Sequence, residues 1–170
     1  MNVSEAITLK RAVRQFSDQP LPESAVRAIL NAGRRAQSSK NTQPWHFIAL
    51  REKAALQALS ALGNWAGHLA GAALGVAILT PHPDTRFSVM FDAGQAAAYM
   101  QLAAWEQGIG SCLATIYDHD AARQLLAFPD DLHVRIALSF GYPADPELLT
   151  RPPIKGGRRP APEVIHWERW

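Results

Sequence analysis

Three cations fall within five residues near the start of the chain, Lys10, Arg11 and Arg14, and two more, Arg158 and Arg159, follow a pair of glycines near its end. Arginine and lysine clusters beside flexible backbone suit a phosphate, because the guanidinium fork matches its oxygens. On charge alone, two solvated basic patches are the stronger reading. The segment Ser38-Ser39-Lys40-Asn41-Thr42-Gln43 gathers hydroxyl and amide groups in one loop, enough donors and acceptors to read the edge of a planar polar ring. An ordinary polar turn ahead of a strand has the same composition. A phosphate end and a hydrogen-bonding end in one small protein would together suit a nucleotide-like cofactor.

Other chemistries find less support. The six histidines show no close paired spacing, and Cys112 is the single cysteine, so a thiolate zinc site and an intrachain disulfide are both excluded. Between a glycine turn and an apolar strand, Cys112 reads as a small core residue rather than a nucleophile. Gly108-Ile109-Gly110 lacks the third glycine of a dinucleotide fingerprint and follows a helix, and neither a nucleophile elbow nor a Walker loop occurs. This weighs against hydrolases, nucleoside triphosphatases and Rossmann dehydrogenases. Acidic residues at a helix start are explained by capping, so Asp118-His119-Asp120 is left out of the site.

The elements that must position these residues are legible from periodicity. Apolar residues at three- and four-residue spacing predict helices over Glu5–Val13 and Glu23–Ala36, separated by Pro20 and Pro22. The polar loop closes at Pro44 and opens into the strand WHFIAL. A helix over Glu52–Leu62, a buried strand over Ala73–Thr80 and a turn at Pro81-His82-Pro83-Asp84 follow. Phe87–Gln107 is the longest helical candidate and is apolar on nearly every side, so it must be central or lie in a subunit interface. After the glycines come a strand over Cys112–Tyr117, a helix over Asp118–Phe128 and a strand over Val134–Gly141. This alternation predicts a mixed α/β layer fold. From Tyr142 to Pro162 six prolines and little apolar periodicity predict an arm, and two tryptophans in the tail call for a surface to dock on.

Length and composition bound the answer. At 170 residues, with 48% hydrophobic and 19% charged residues, one compact domain is expected, and it needs no disulfide or metal to hold it. A formal charge of +2 implies no broad nucleic-acid or membrane surface. The opening residues do not read as a secretory signal, and the longest apolar run, Leu69–Leu79, falls short of the ~20 residues that span a bilayer. A cytoplasmic protein is the expectation.

Taken in order, KRAVRQF, SSKNTQPWHF, FDAGQAAAYMQLAAWEQGIGSC, ALSFGYP and GGRRPAPEVIHWERW resemble the motifs of the FMN-dependent nitroreductase family, over nearly the whole chain. The resemblance implies an α+β three-layer fold, with a central, mostly antiparallel sheet surrounded by helices, in a single 1–170 domain whose residues 144–170 form an extended arm. It implies FMN as cofactor, NADH or NADPH as electron donor, a small electron-poor acceptor such as a nitroaromatic or quinone, and a ping-pong mechanism in which no side chain need be catalytic. It places Lys10, Arg11 and Ala12 at the FMN phosphate, Arg14 nearer the ribityl chain or the pyrimidine edge, and Arg158 with Arg159 completing the phosphate site. Ser38, Ser39, Asn41 and Gln43 would meet the flavin from the neighbouring subunit of a homodimer with FMN sites at its interface. Leu113, Ala114 and Thr115 would lie against the ring face. Two departures stand out. Ala12 replaces a serine that commonly binds phosphate, and the stretch between Leu62 and Phe87 is short, which predicts a more open pocket and broad substrate tolerance. A dehalogenase, a semialdehyde or enone reductase, and a non-catalytic flavin-binding module are the competing readings.

Overall fold

The computed structural model describes residues 2–151 and 157–170. Helix α1 (Val3–Leu9) opens on a reciprocal cap in which the Glu5 N–H donates to Asn2 Oδ1 and the Asn2 N–H to Glu5 Oε2, both at 2.9 Å. It stops before Lys10, which corrects the expected helix through Val13. Ala12 instead forms a parallel bridge with Ser111, and the Val13 N–H donates to the Ser111 carbonyl at 2.9 Å. A sheet edge supplies the partners that another helical turn would have supplied, and sequence spacing carries no trace of that edge.

The remaining elements follow the periodicity to within a few residues: α2 (Glu23–Arg34), β1 (His46–Leu50), α3 (Lys53–Ser60), β2 (Leu74–Pro81), α4 (Val89–Glu106), β3 (Gly110–Thr115), α5 (His119–Leu126) and β4 (Leu132–Gly141). Pro81, expected in a turn, closes β2 instead. The four strands lie in the order β1-β2-β4-β3, and every pairing is antiparallel. The architecture is therefore α+β, and the sheet is the middle of three layers. Leu74, Val76 and Ile78 of β2, with Ile136, Leu138 and Phe140 of β4, pack beneath α2 and α4. On the opposite face Ala77, Leu79, Ala114 and Ala137 meet Leu56 and Leu59 of α3 and Ala122 of α5. Alternating side chains serve both cores, as burial on two faces requires.

Two local devices aim the strands. At Gly33 a Cβ would lie 2.2 Å from the Met100 Cε, so glycine there sets how closely α2 approaches α4. At the end of α4, Gly108 adopts φ +72°, its N–H donating to the Trp105 carbonyl while the Ile109 N–H reaches the Ala104 carbonyl, each at 3.0 Å. That stop turns the chain straight into β3. Asp118 caps α5 by accepting from the Ala121 N–H at 3.0 Å, the role expected of it.

α4 is buried through Ala93, Ala96, Ala97 and Met100 on one side, whereas Met90, Phe91 and Tyr99 stay exposed on the other, as does Phe87 just before the helix. Trp167 and Trp170 of the tail are 84% and 98% exposed. Of the 144–170 arm, residues 152–156 lie outside the described residues. Among those described, no helix is long and apolar enough to cross a membrane.

Three histidines meet away from these features. His133 on β4 lies against His119 of α5, with ring centroids 3.9 Å apart, and against His82 after β2, at 4.7 Å. Burial, then the neighbouring His119 and His82, then Arg135 and Arg123, push the His133 pKa from 6.5 down to about 4. Burial and Arg135 lower His119 in the same direction. In the folded chain His133 and His119 therefore stay neutral where the unfolded chain takes up protons. Stability is complete above about pH 6.5 and falls as the pH drops toward about 4. The urea midpoint is expected to be lower at pH 5 than at pH 7.5, and His133→Gln should flatten that dependence. Equal slopes in the two proteins would exclude the cluster as its source.

Candidate cofactor-binding site

β3 is an edge strand, paired with β4 on one side, and its open side is covered at two places. Val13 bonds the Ser111 carbonyl, and past the other end of the strand the Tyr117 N–H donates to the Leu62 carbonyl at 2.8 Å. Edge groups alternate along a strand, so Leu113 presents its peptide N–H and carbonyl to the same side as Ser111. Leu113 is 41% exposed and falls between the two covers. A cavity of about 740 Å³ opens there, lined by Arg14, Asn64, Trp65, Gly67, His68 and Leu113. Its volume lies within the range of small-molecule and cofactor sites.

The electrostatics of this wall are cationic. Lys10, at the end of α1, is half-buried and donates from Nζ to Gln101 Oε1 of α4 at 3.1 Å. Burial lowers its pKa, and Arg158 lowers it further, so the start and the tail of the chain bring positive charge to one place. Cys112 is buried, its thiol pushed up by burial against the opposing pull of Arg14 and Lys10. His68 is 8% exposed and its Nδ1 lies 2.7 Å from Ser139 Oγ, while that hydroxyl reaches the Cys112 carbonyl at 3.4 Å. The other ring nitrogen, Nε2, is buried without a hydrogen-bond partner. Burial and Arg14 lower the His68 pKa, against the opposing pull of the Leu113 backbone.

The polar loop is held elsewhere, over the start of α4. The Ser39 N–H donates to Oδ1 of the buried Asp92 at 2.9 Å, and Arg86 bonds both Asp92 Oδ2 at 3.2 Å and Thr42 Oγ1 at 2.5 Å. Lys40, Asn41 and Gln43 all have φ near +50°, a left-handed conformation that is costly for residues with a Cβ. The Asp92–Arg86 pair and a bond from the Gln43 N–H to Ser38 Oγ hold the backbone in it. Gln43 lines a second cavity of about 680 Å³, beside Arg34 and the stacked Trp45 and Phe47.

Within one chain, then, Lys10, Arg14, Arg158 and Leu113 come together, and Ser38, Ser39, Asn41 and Gln43 do not join the wall of that cavity. Arg11 hydrogen-bonds the Arg151 carbonyl, Ala114 faces the core, and Thr115 has its carbonyl packed against Gly63. Ala12 is exposed beside β3, and Arg158 and Arg159 are exposed in the tail.

The model of the nitroreductase family matches residues 7–66 and 60–142. The chain belongs to the nitroreductase family. It is 29% identical to an Archaeoglobus fulgidus protein with the inferred name NADH dehydrogenase/NAD(P)H nitroreductase, over 96% of each chain. It is 26% identical to a 4-nitrobenzoate reductase of Nocardioides sp., over 85% of this chain and 84% of that one. An FMN-dependent nitroreductase of Clostridium difficile superposes with a TM-score of 0.85 at 24% identity, covering 99% of this chain and 100% of that one. The expected α+β three-layer fold is thus the fold of this member of the family.

Sequence reading missed four features of the site: His68 and Trp65 in the cavity wall, and Asp92 and Arg86 beneath the polar loop. Asp92 had a signal, a lone acid inside an otherwise apolar helix. Trp65 and His68 sit in a stretch with no periodicity, and only the fold brings them beside Leu113. Gly110 carries a further requirement, since a Cβ there would lie 2.6 Å from the Val13 Cβ and 2.8 Å from both of its methyl carbons. Val13 is buried, and a buried β-branched side chain has little room to swing away. Gly110→Ala is therefore expected to lift residues 10–14 off β3, read as faster amide exchange at Val13 with the β3–β4 pairing retained. Unchanged protection at Val13 would show that the close approach is not what seats this segment.

Proposed function

We propose that this nitroreductase is an FMN-dependent oxidoreductase that takes electrons from NADH or NADPH and passes them, in ping-pong fashion, to small electron-poor acceptors such as nitroaromatics or quinones. The observation that carries this reading is the cavity at Leu113, where the edge of β3, the Arg14 side chain and the His68 ring line one space. These groups fit a flavin: hydrogen-bonding groups suit its polar ring edge, and a cation offsets the negative charge that it gains on reduction. When bound, FMN supplies the hydride and electron chemistry.

The chain's own residues bind and orient. Lys10 and Arg158 supply positive charge for the phosphate, which a backbone approach at Ala12 can supplement without the missing hydroxyl. Arg11, bonded to the Arg151 carbonyl, steadies the root of the arm next to that charge. Arg14 sits over the cavity with Trp65, which is 85% exposed and leaves the mouth wide, in keeping with broad acceptor tolerance. Ser38, Ser39, Asn41 and Gln43 reach a flavin across the interface of a homodimer. The uncovered apolar side of α4 and the two tail tryptophans supply the surface that such an assembly buries.

The purified protein is expected to be yellow, or to become so with added FMN, and its visible bands should bleach anaerobically with NADH or NADPH. A colourless protein that takes up no FMN would remove the reading. Arg14→Ala should weaken FMN binding by roughly tenfold to a hundredfold, the worth of a hydrogen bond to a charged group, as measured by flavin fluorescence titration. Unchanged affinity would clear Arg14 of that role. Deleting residues 160–170 should shift the protein from dimer to monomer in analytical ultracentrifugation and loosen FMN with it; a truncated protein that stays dimeric and yellow would contradict the proposed assembly.

A further inference from the structure

His68 is the one side chain in the cavity wall that is both deeply buried and left with an unused polar atom. Its position is built from two strands. Ser139 on β4 stands directly opposite Cys112 on β3, and its hydroxyl bridges the His68 Nδ1, at 2.7 Å, and the Cys112 carbonyl, at 3.4 Å. A serine hydroxyl has one proton. If it is given to the Cys112 carbonyl, the oxygen must accept from Nδ1–H, which leaves the lone pair on Nε2, a buried atom of a ring that lines the cavity. A buried lone pair without a partner is costly, and in a native structure such a group calls for an explanation, a catalytic role or a bound water among them.

We propose that His68 takes up a proton at Nε2 when the flavin in this cavity is reduced, so that the imidazole and the reduced ring form a redox-linked ion pair. This rests on the FMN reading above and goes beyond it by assigning the compensating proton to one side chain.

The balance is simple. Two electrons and one proton reduce the flavin to its anionic form, and a second proton from solvent goes to His68; the electrons come from the nicotinamide donor, or from dithionite in the titration below. The groups around the ring explain why the proton waits for the electrons. Burial and the Arg14 guanidinium, on the segment after α1, hold the imidazole neutral while the flavin is uncharged. The Cys112 thiol on β3 is held protonated by burial, and Ser139 on β4, Asn64 and Trp65 carry no charge, so among the neighbours only the Leu113 backbone pulls against Arg14. A negative charge arriving in the cavity does offset it and raises the proton affinity of Nε2. Arg14 and His68 then divide the compensation of the reduced ring between them, Arg14 as a permanent charge and His68 as a charge present only in the reduced state.

The proposal is tested by the midpoint potential of the FMN-loaded protein against pH, between pH 6 and 8, with dithionite and reference dyes. Each proton coupled to a two-electron step changes the equilibrium tenfold per pH unit, which is 29.6 mV. Wild-type protein is expected to show two protons per two electrons at the acid end of this range, and His68→Gln, which can still bond Ser139, only one. Ser139→Ala keeps the imidazole and removes its partner, so it should retain the two-proton limb but displace it along the pH axis. A one-proton slope in wild type overturns the proposal whether or not the variants fold, and so does a slope that His68→Gln leaves unaltered. Failure of wild-type protein to take up FMN would overturn the functional reading itself, whereas FMN uptake with a one-proton slope would leave that reading standing and remove only the role of His68.

Discussion

The uncovered backbone edge of β3 is the constraint on which the rest of this molecule depends. An edge strand exposes a row of unpaired peptide groups that must be covered, hydrated or used. Here the cover comes from both ends of the strand and stops short of the middle, because Val13 takes the Ser111 carbonyl and the chain at Leu62 takes the Tyr117 N–H. Each cover brings functional groups with it. The first carries Lys10 and Arg14 to the strand, and the second continues into Asn64, Trp65 and His68. What remains is the Leu113 peptide, whose carbonyl takes the Cys112 thiol at 3.6 Å, ringed by the groups that its two neighbours deliver.

The close approaches follow from that arrangement. Segment 10–13 can lie on β3 only because position 110 has no side chain, and Gly63 passes so near the Thr115 carbonyl that a Cβ there would lie 2.1 Å from its oxygen. The turn at Gly108 delivers β3 from α4 within a few residues, which ties the site's strand to the helix whose other side is apolar and uncovered. The helix that would be buried by a second copy is therefore the helix that positions Leu113. Asp92, on its first turns, holds the Ser39 backbone and Arg86, so the polar loop is anchored to the same element. In a dimer built on α4, the two halves of the proposed site would be referenced to one shared helix pair.

Much of this was legible in the sequence, for reasons that can be named. The helices and strands carried amphipathic or alternating patterns because each buries one face or both, and local capping groups such as Asn2 with Glu5 and Asp118 mark their starts. The cations were visible as a cluster, and the motif resemblance gave the fold and the family. What local pattern could not supply were relations across the chain. The strand order β1-β2-β4-β3, the extended run at residues 10–13 and the meeting of His68 with Ser139 are each fixed by partners many residues away. Arg11 illustrates the limit within a single motif, since it sits beside Lys10 in sequence and yet spends its guanidinium on the Arg151 carbonyl.

The same dependence on the main chain accounts for the departure at Ala12. In the proposed site a serine at this position would add one hydroxyl contact to the phosphate, worth about 1.5–3 kcal/mol as a hydrogen bond to a charged group. The segment's position does not depend on that hydroxyl, because it is set by the backbone bond from Val13 to Ser111 and by the space over Gly110. Positive charge at this end is supplied from two distant parts of the chain, Lys10 and Arg158, and the burial of Lys10 beside Gln101 limits how far its ammonium can wander. Alanine is tolerable where geometry comes from the main chain and charge from neighbours. By the same reasoning glycine at 110 is not exchangeable, because there the main chain itself needs the room.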